Sequence, residues 1–438
     1  MSFDPIAQSL SVLNRFSGSE LVHKLGLYKP AQKIVKSAAR QGFRASSAAV
    51  RQFQAAKKML GAQRLPSASS KPTLFDLNLT EEQSMVRDMA QRFAREIMRP
   101  AASDANEAKA APEGFSAQFA ELGLAQFVVP ESLGGAATES SVVTQAIVAE
   151  DLAHGDMGLA VAALAPVGVA SALTRWGSAA QQGKYLPAFA GDDIPKAALC
   201  IAEPRPAFDP RQLRTRATAD GSGYVLQGEK TLVPLAESAE LFLVAADLVD
   251  KGPTLFIVEA NTPGVSVTAS PAMGVRAASL GSVRLDNARV PMEAIVGESP
   301  DAVNYDELID LSALGWCALA IGTAQAVLDY AIPYTNDRVA FGEPISHRQA
   351  VAFMVANIAI EVEGMRLLTW RAASRAELGL SFHREAYLAK AFCADKALEI
   401  GTNGVQLLGG AGYIKDHPVE RFYRDLMGIA VMEGGVLL

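Results

Sequence analysis

One carboxylate, Glu433, sits in the otherwise apolar run RDLMGIAVMEGGVLL. A glutamate in such company is either solvated where the chain frays or a base tuned by burial, and its chemistry would be proton abstraction. A second stretch, DRVAFGEPISHRQAV from Asp337 to Val351, sets a guanidinium, an aromatic ring and an amide close together. Arg338 is always charged and can bond twice to a pyrophosphate, Phe341 can stack on a ring, and Gln349 can bond a phosphate or a base edge. A surface loop with a salt bridge explains the same residues. In LLGGAG the glycines at 409, 410 and 412 follow an apolar helix. They serve either close approach of backbone amides to a ligand or a helix C-cap. LCIAEPRPAFDP, from Leu199 to Pro210, has no glycine and reads as a structural turn rather than a phosphate cradle. The five histidines are scattered without HxxxH or HExxH spacing, so no metal site is expected. With no GxSxG elbow and no Cys/His pattern, carboxylate general-base chemistry is what remains.

Several elements would have to position these groups. The linker LPSASSKPT separates residues 1–70, a basic extension, from the rest. Residues 71–196 read as a helical domain. Thr80 and Gln83 have capping-box spacing, Val86, Met89, Phe93 and Ile97 recur at helical intervals, and Pro100 is expected to stop that helix. Residues 197–297 change period to short β-branched segments such as YVLQGEKTLV, ELFLVAADL and PTLFIVEA, a middle antiparallel β-sandwich or barrel. Residues 298–438 return to helices. DLSALGWCALAIGTAQAVLDYA is apolar on nearly every side and is expected to be buried, with two more long helices over 349–378 and 384–408. The fold class is therefore α+β, mostly α, in the order helices, strands, helices, without βαβ alternation.

Composition bounds the rest. Half of the 438 residues are hydrophobic, enough for several packed units. Cys200, Cys317 and Cys393 lie far apart, which fits a reducing compartment and no disulfide framework. No apolar run is expected to reach the roughly 18–20 residues that span a bilayer. The net charge of −7 conceals an asymmetry: residues 1–64 hold eleven Lys and Arg against two acidic residues, +9, leaving −16 for the remainder. That segment carries apolar residues at helical intervals. It reads as an amphipathic arm on an anionic membrane, as a mitochondrial transit peptide, or as a helical extension packed on its own protein. The corresponding locations are cytoplasmic, membrane-associated, or the mitochondrial matrix. No nucleic-acid-binding module is recognisable.

From about Phe75 onward the chain resembles the acyl-CoA dehydrogenase family. The resemblance is carried in order by LTEEQ, LGLAQFVVPESLGG, LCIAEP, ANTPGVSV, LDNARVP, DRVAFGEPISHRQAV, NGVQLLGGAGY and RDLMGIAVMEGG. It implies a helical domain, a middle β-domain and a C-terminal four-helix bundle. It also implies FAD as cofactor, acyl-CoA as substrate, and an electron-transfer flavoprotein or similar acceptor. The assembly would be a homodimer or tetramer, or a hetero-oligomer. The family's RDxxxxxxYEG motif falls on Arg424, Asp425, Met432, Glu433 and Gly434. By that resemblance Glu433 removes the α-proton of the thioester, hydride passes to the flavin, and a trans-2-enoyl-CoA forms, the chemistry of fatty-acid β-oxidation. Arg338, Phe341 and Gln349 would hold the ADP half of FAD across a subunit interface, joined by Gln406 and Gly410. Asp310 and Gly434 would lie on the substrate side.

The departures from the family pattern are local. Ala202 stands where a threonine bonds the flavin ring, and Phe208 where a serine helps hold flavin and substrate. Leu232 and Pro234 replace the tryptophan and threonine that cover the ring, Ala313 replaces an arginine on the CoA side, and Gly435-Val436-Leu437 stands in place of T-x-Q. Each apolar side chain standing in for a polar one removes a hydrogen bond of roughly 0.5–1.5 kcal/mol. The alternative these replacements imply is a flavin-poor dehydrogenase-like subunit acting in a hetero-oligomer or as an acyl-CoA-binding scaffold.

Overall fold

The computed structural model describes residues 77–137 and 141–438. The basic segment, its linker and every expectation placed on them lie outside the described residues. The first helix, α1 (Glu81–Phe93), begins at the capping box read from the sequence. Gln83 N–H donates to Thr80 Oγ1 and Thr80 N–H donates to Gln83 Oε1, both at 3.1 Å. Pro100 does not stop this helix. A widened π turn over Ala94–Met98 intervenes, and the chain continues as α2 (Arg99–Ala108) with the proline in its first turn, where no i−4 bond is required of it. The extra residue in that turn also rotates the buried face. Val86 and Phe93 are buried as expected, but Met98 takes the inward position expected of Ile97, which is exposed.

Four helices follow: α3 (Phe115–Ala120), α4 (Val142–Gly155), α5 (Met157–Trp176) and α6 (Ala179–Phe189). Asp156 caps α5 through a 3.0 Å bond from Leu159 N–H and meets Arg421 Nε at 3.0 Å, a buried ion pair that ties this region to the last helix.

The middle of the chain forms one curled seven-stranded sheet. Its strands are β1 (Ala197–Cys200), β2 (Arg216–Ala219), β3 (Gly223–Val233), β4 (Leu241–Leu248), β5 (Gly252–Glu259), β6 (Val265–Ala269) and β7 (Gly281–Pro291). Most pairings are antiparallel. β1 and β2 instead run parallel to successive stretches of β4, at Leu241–Val244 and Asp247–Leu248. β4 is buried on both faces: Leu241, Leu243 and Ala245 join the core shared with the helices, while Phe242, Val244 and Ala246 fill the inside of the curl. β3 and β7 pair with irregularities between Leu226 and Gly228 and between Lys230 and Val233. The second lies beside the candidate site.

The last third of the chain is helical: α7 (Tyr305–Asp337), α8 (Gln349–Glu377), α9 (His383–Leu408) and α10 (Val419–Met427). α7 is buried along most of its length, as its sequence requires. Between α7 and α8 a hairpin of β8 (Val339–Ala340) and β9 (Glu343–Pro344) turns on Phe341 and Gly342, both with positive φ (54° and 85°). Contrary to the reading of apolar runs, α5 and α7 are long and apolar enough to cross a membrane by length and composition. In each, 94% of the apolar window is buried inside the protein, so core packing accounts for the hydrophobicity.

Candidate active site

The site is built on a clamped turn. β1 ends at Cys200, and the Ile201–Glu203 turn is tied to β3 by Lys230, whose ammonium donates to Glu203 Oε1 at 3.0 Å and to the Ile201 carbonyl at 3.1 Å. Glu203 also accepts the Arg214 and Thr215 amides, each at 2.8 Å. Burial pushes Lys230 down to about 8, with Glu203 pulling the other way. Burial alone would raise Glu203, but Lys230 and the two amides outweigh it and hold the carboxyl below its usual range. The pair is thus charged on both sides at neutral pH, and Ala202 is fixed in the middle of the turn, buried. The turn meets β3 through Thr231 N–H, which donates to the Ala202 carbonyl at 2.9 Å, and just beyond it Leu232 and Leu235 are in the left-handed region (φ 53° and 54°), with Pro234 between them.

α10 delivers the other wall. Arg424 donates to the Met273 carbonyl at 2.7 Å, and Asp425 Oδ1 accepts the Val275 amide at 2.6 Å, so the Arg-Asp pair bolts α10 to a loop of the β-domain. Burial pushes Asp425 up to about 7, with the neighbouring Asp156 adding to the rise. Past α10 the chain reaches Glu433. Lys390 of α9 donates to the Met432 carbonyl at 2.9 Å and lies 3.7 Å from Glu433 Oε1, with the Glu433 side chain 19% exposed. Glu433 is therefore not a frayed end.

The residue after it is held on three sides. Gly434 N–H donates to Ser312 Oγ at 3.1 Å, its carbonyl accepts Trp316 Nε1 at 2.7 Å, and it bridges antiparallel to Cys200. Both Gly434 and Gly435 have positive φ (73° and 77°), and the space around them requires glycine as well. A Cβ on Gly434 would lie 2.9 Å from the Ile201 side chain, and one on Gly435 would lie 2.9 Å from Pro234. Glu433, Gly434 and the Ala202 turn are thereby brought together.

Asp310 lies on α7 two residues before Ser312 and is already engaged by two side chains. His383 Nδ1 is 2.8 Å away, and Arg211 Nη2 is 3.1 Å away, with Arg211 Nε also 2.7 Å from Asp306. Burial raises Asp310, and His383 and Arg211 offset part of the rise. Ala313 leaves α7 without a guanidinium there, yet Arg211 brings one to the same face of the helix from the β1–β2 loop.

The remaining candidates form a second region. Arg338 and Gly410 line a cavity of about 550 Å³ together with Tyr334, Asp337, Leu408, Ala411 and His417. Tyr330 Oη and His417 Nδ1 are 2.7 Å apart beside it. Phe341 is 95% exposed at the tip of its hairpin, with the Arg348 guanidinium 5.5 Å over the ring. Gln349 and Gln406 are also exposed. This cavity is lined by none of Ala202, Asp310, Glu433 or Gly434. Among the described residues no group of three or more His, Cys, Asp or Glu side chains could hold a metal ion.

Lys390, Ser312, Trp316, Arg211 and His383 were not singled out from sequence. Only Trp316 carried a usable signal, since a buried indole N–H needs an acceptor. The others act through partners far away along the chain.

Three family models match the chain in succession: acyl-CoA dehydrogenase N-terminal domain over residues 80–193, middle domain over 198–288 and C-terminal domain over 306–435. The chain is 35% identical over 358 residues to a cyclohex-1-ene-1-carbonyl-CoA dehydrogenase of Geobacter metallireducens, covering 80% of this chain and 93% of that protein. It is 32% identical over 367 residues to an acyl-CoA dehydrogenase of Bacillus subtilis, covering 82% and 96%. Among solved structures, butyryl-CoA dehydrogenase from Megasphaera elsdenii superimposes with a TM-score of 0.75 at 27% identity, covering 82% of this chain and 95% of that one. The chain belongs to the acyl-CoA dehydrogenase family. It is an oxidoreductase acting on acyl-CoA, in a family that is FAD-dependent and serves fatty-acid β-oxidation.

The two regions fit that cofactor unequally. The open cavity has a cation at Arg338 and a glycine backbone at Gly410 with nothing within 4 Å of an added Cβ, a donor set and a clearance suited to a dinucleotide's phosphates. At the turn that the flavin ring would face, Pro234 stands so near Gly435 that an added Cβ there would lie 2.9 Å from its ring, so little space separates the two.

Proposed function

We propose that this chain dehydrogenates an acyl-CoA thioester between its α- and β-carbons, giving a trans-2-enoyl-CoA, with Glu433 as the base that takes the α-proton. The observation that carries the reading is the way Glu433 is held. It is one residue from a backbone unit fixed by Ser312, Trp316 and β1, and its carboxylate is steadied by the Lys390 ammonium at 3.7 Å. A base must be held at a fixed point to meet a carbon acid, and general-base catalysis of this kind is worth about 10²–10⁴ in rate. FAD, when bound, supplies the acceptor for the β-hydrogen; Arg338 and Gly410, with Phe341, Gln349 and Gln406, are the residues that would hold its ADP half. Asp310 and Arg211 would orient the CoA end. An electron-transferring flavoprotein or similar acceptor and further copies of the chain are the partners that accompany this reading. The test is the α-proton itself. The chain should exchange the α-hydrogens of an acyl-CoA with deuterated water, and Glu433→Gln should not; equal exchange by both would remove Glu433 from the role.

A second reading has its own observation. The close approach of Gly435 to Pro234 favours a subunit that binds acyl-CoA without flavin chemistry. A purified chain that takes up no FAD would support that reading over the first.

A further inference from the structure

We infer that Lys390 of α9 is a positioning residue for proton abstraction, whose one ammonium fixes the peptide before Glu433 and keeps the Glu433 carboxylate ionised when a bound thioester displaces water from it. The inference deepens the reading of Glu433 as the base and rests on it. Two requirements on such a base conflict. The carboxylate must shed water to meet a carbon acid, yet shedding water favours its protonated form, which cannot take the α-proton. The surroundings of Glu433 sharpen the conflict, since Met432, Val436 and Leu437, close to it in the chain, are buried and apolar.

A cation held close by, and itself little exposed, reconciles the two. Lys390 Nζ lies 3.7 Å from Glu433 Oε1, with the two side chains 16% and 19% exposed, so salt and water screen the attraction only weakly. Among the described residues no other cation pairs with Glu433. At 3.7 Å the contact is an ion pair without a hydrogen bond, and the oxygen that must accept a proton stays unblocked. The same ammonium donates to the Met432 carbonyl at 2.9 Å. That bond ties Lys390 to backbone, so the charge keeps its place while the carboxylate turns toward a substrate.

The other titratable groups around the pair leave this task to Lys390. Tyr305 of α7 feels the charge of Glu433, and Cys393, on the next turn of α9, feels that of Lys390. Burial raises both, so each stays neutral around neutral pH. Beyond Tyr305 stand Glu203, Asp209 and Arg211. Glu203 is paired with Lys230, and Asp209 accepts the Arg211 amide and Gln212 Nε2 within its own loop. Arg211 is paired with Asp306 and with Asp310, which also meets His383. On α10, Arg424 and Asp425 are turned to the β-domain loop, and from α8 the side chain that reaches Cys393 is Thr369, which does not titrate.

The experiment follows exchange of the α-hydrogens of butyryl-CoA with deuterated water, which needs no electron acceptor, as a function of pH. It compares the wild type with Lys390→Met, Lys390→Gln and Lys390→Arg. Removing the charge disfavours the ionised base, so the acid limb of exchange should move to higher pH by about one unit or more in Lys390→Met. Below the limb that is a loss of about tenfold or more, and it should narrow as pH rises. Lys390→Arg keeps the charge and should hold the limb near its wild-type position. Lys390→Gln can still donate to the Met432 carbonyl but carries no charge; it should shift the limb as Lys390→Met does, and it decides the matter should Lys390→Met fail to fold. A limb that stays put in the neutral variants, with the rate lowered equally at every pH, gives Lys390 a structural role alone and overturns the inference while leaving Glu433 as the base. No exchange by the wild type, or equal exchange by Glu433→Gln, removes the base reading and the inference with it.

Discussion

The region around Glu433 and the region around Arg338 are opposites in packing. At the first, Gly434 is bonded on both sides of its peptide, Gly435 lies close to Pro234, and the residues after it are almost wholly buried. At the second, Phe341 is 95% exposed on a hairpin tip, Gln349 and Gln406 face outward, and Gly410 has open space before it. Departures from the family pattern at Ala202, Leu232 and Pro234 fall in the first region, which nevertheless keeps Glu433 and Gly434, while the second keeps Arg338, Phe341, Gln349, Gln406 and Gly410. Where polar groups for the ring are missing, little space is left. Where Arg338, Phe341 and Gly410 are kept, the surface stays open to a ligand or another subunit. Holding Phe341 at a φ of 54° with its ring in solvent fits the same contrast, because a left-handed, exposed aromatic gains little for the fold alone.

Substitutions can break or sharpen that contrast. The largest expected effect belongs to the closed region: Glu433→Gln should lower acyl-CoA turnover by about 10²–10⁴, with the melting temperature little changed. A next effect belongs to the open one. Arg338→Ala removes a charge-assisted partner worth roughly 1.5–3 kcal/mol, and FAD affinity in equilibrium titrations should fall at least about tenfold. The glycines then separate the regions directly. Gly435→Ala puts a methyl 2.9 Å from Pro234 at a φ of 77° and should cost about 1–3 kcal/mol in chemical denaturation. Gly410→Ala meets nothing and should stay within about 0.5 kcal/mol.

A last effect concerns pH. Asp425 is raised from 3.8 to about 7, so the folded state holds its proton more tightly than the unfolded chain. Its contribution is fully present below pH 3.8 and is lost as pH rises through about 7. Thermal unfolding followed between those limits should therefore show a decline in the wild type that Asp425→Asn flattens. An unchanged slope would place the dependence elsewhere.

Local chemistry is legible in the sequence alone. The Thr80–Gln83 box, the buried α7 and the order of helices, strands and helices are all decided by neighbours a few residues apart. The π turn at Ala94–Met98 is not, because its extra residue shows only as a shift of the buried face from Ile97 to Met98. The parallel pairing of β1 and β2 with β4 depends on where separate strands meet. The site divides the same way. Glu433 and Arg338 could be named from their motifs, whereas Lys390 reaches Glu433 from 43 positions earlier in the chain. Arg211 reaches Asp310 across 99 positions. Neither pairing leaves a spacing to read.

The central assignment is most directly tested by loading the purified chain with FAD, mixing it anaerobically with an acyl-CoA and following the visible absorption of the flavin. Bleaching by the wild type together with its loss in Glu433→Gln is the expected result. Bleaching at the same rate in Glu433→Gln, or none in a wild-type chain shown to carry FAD, would contradict it.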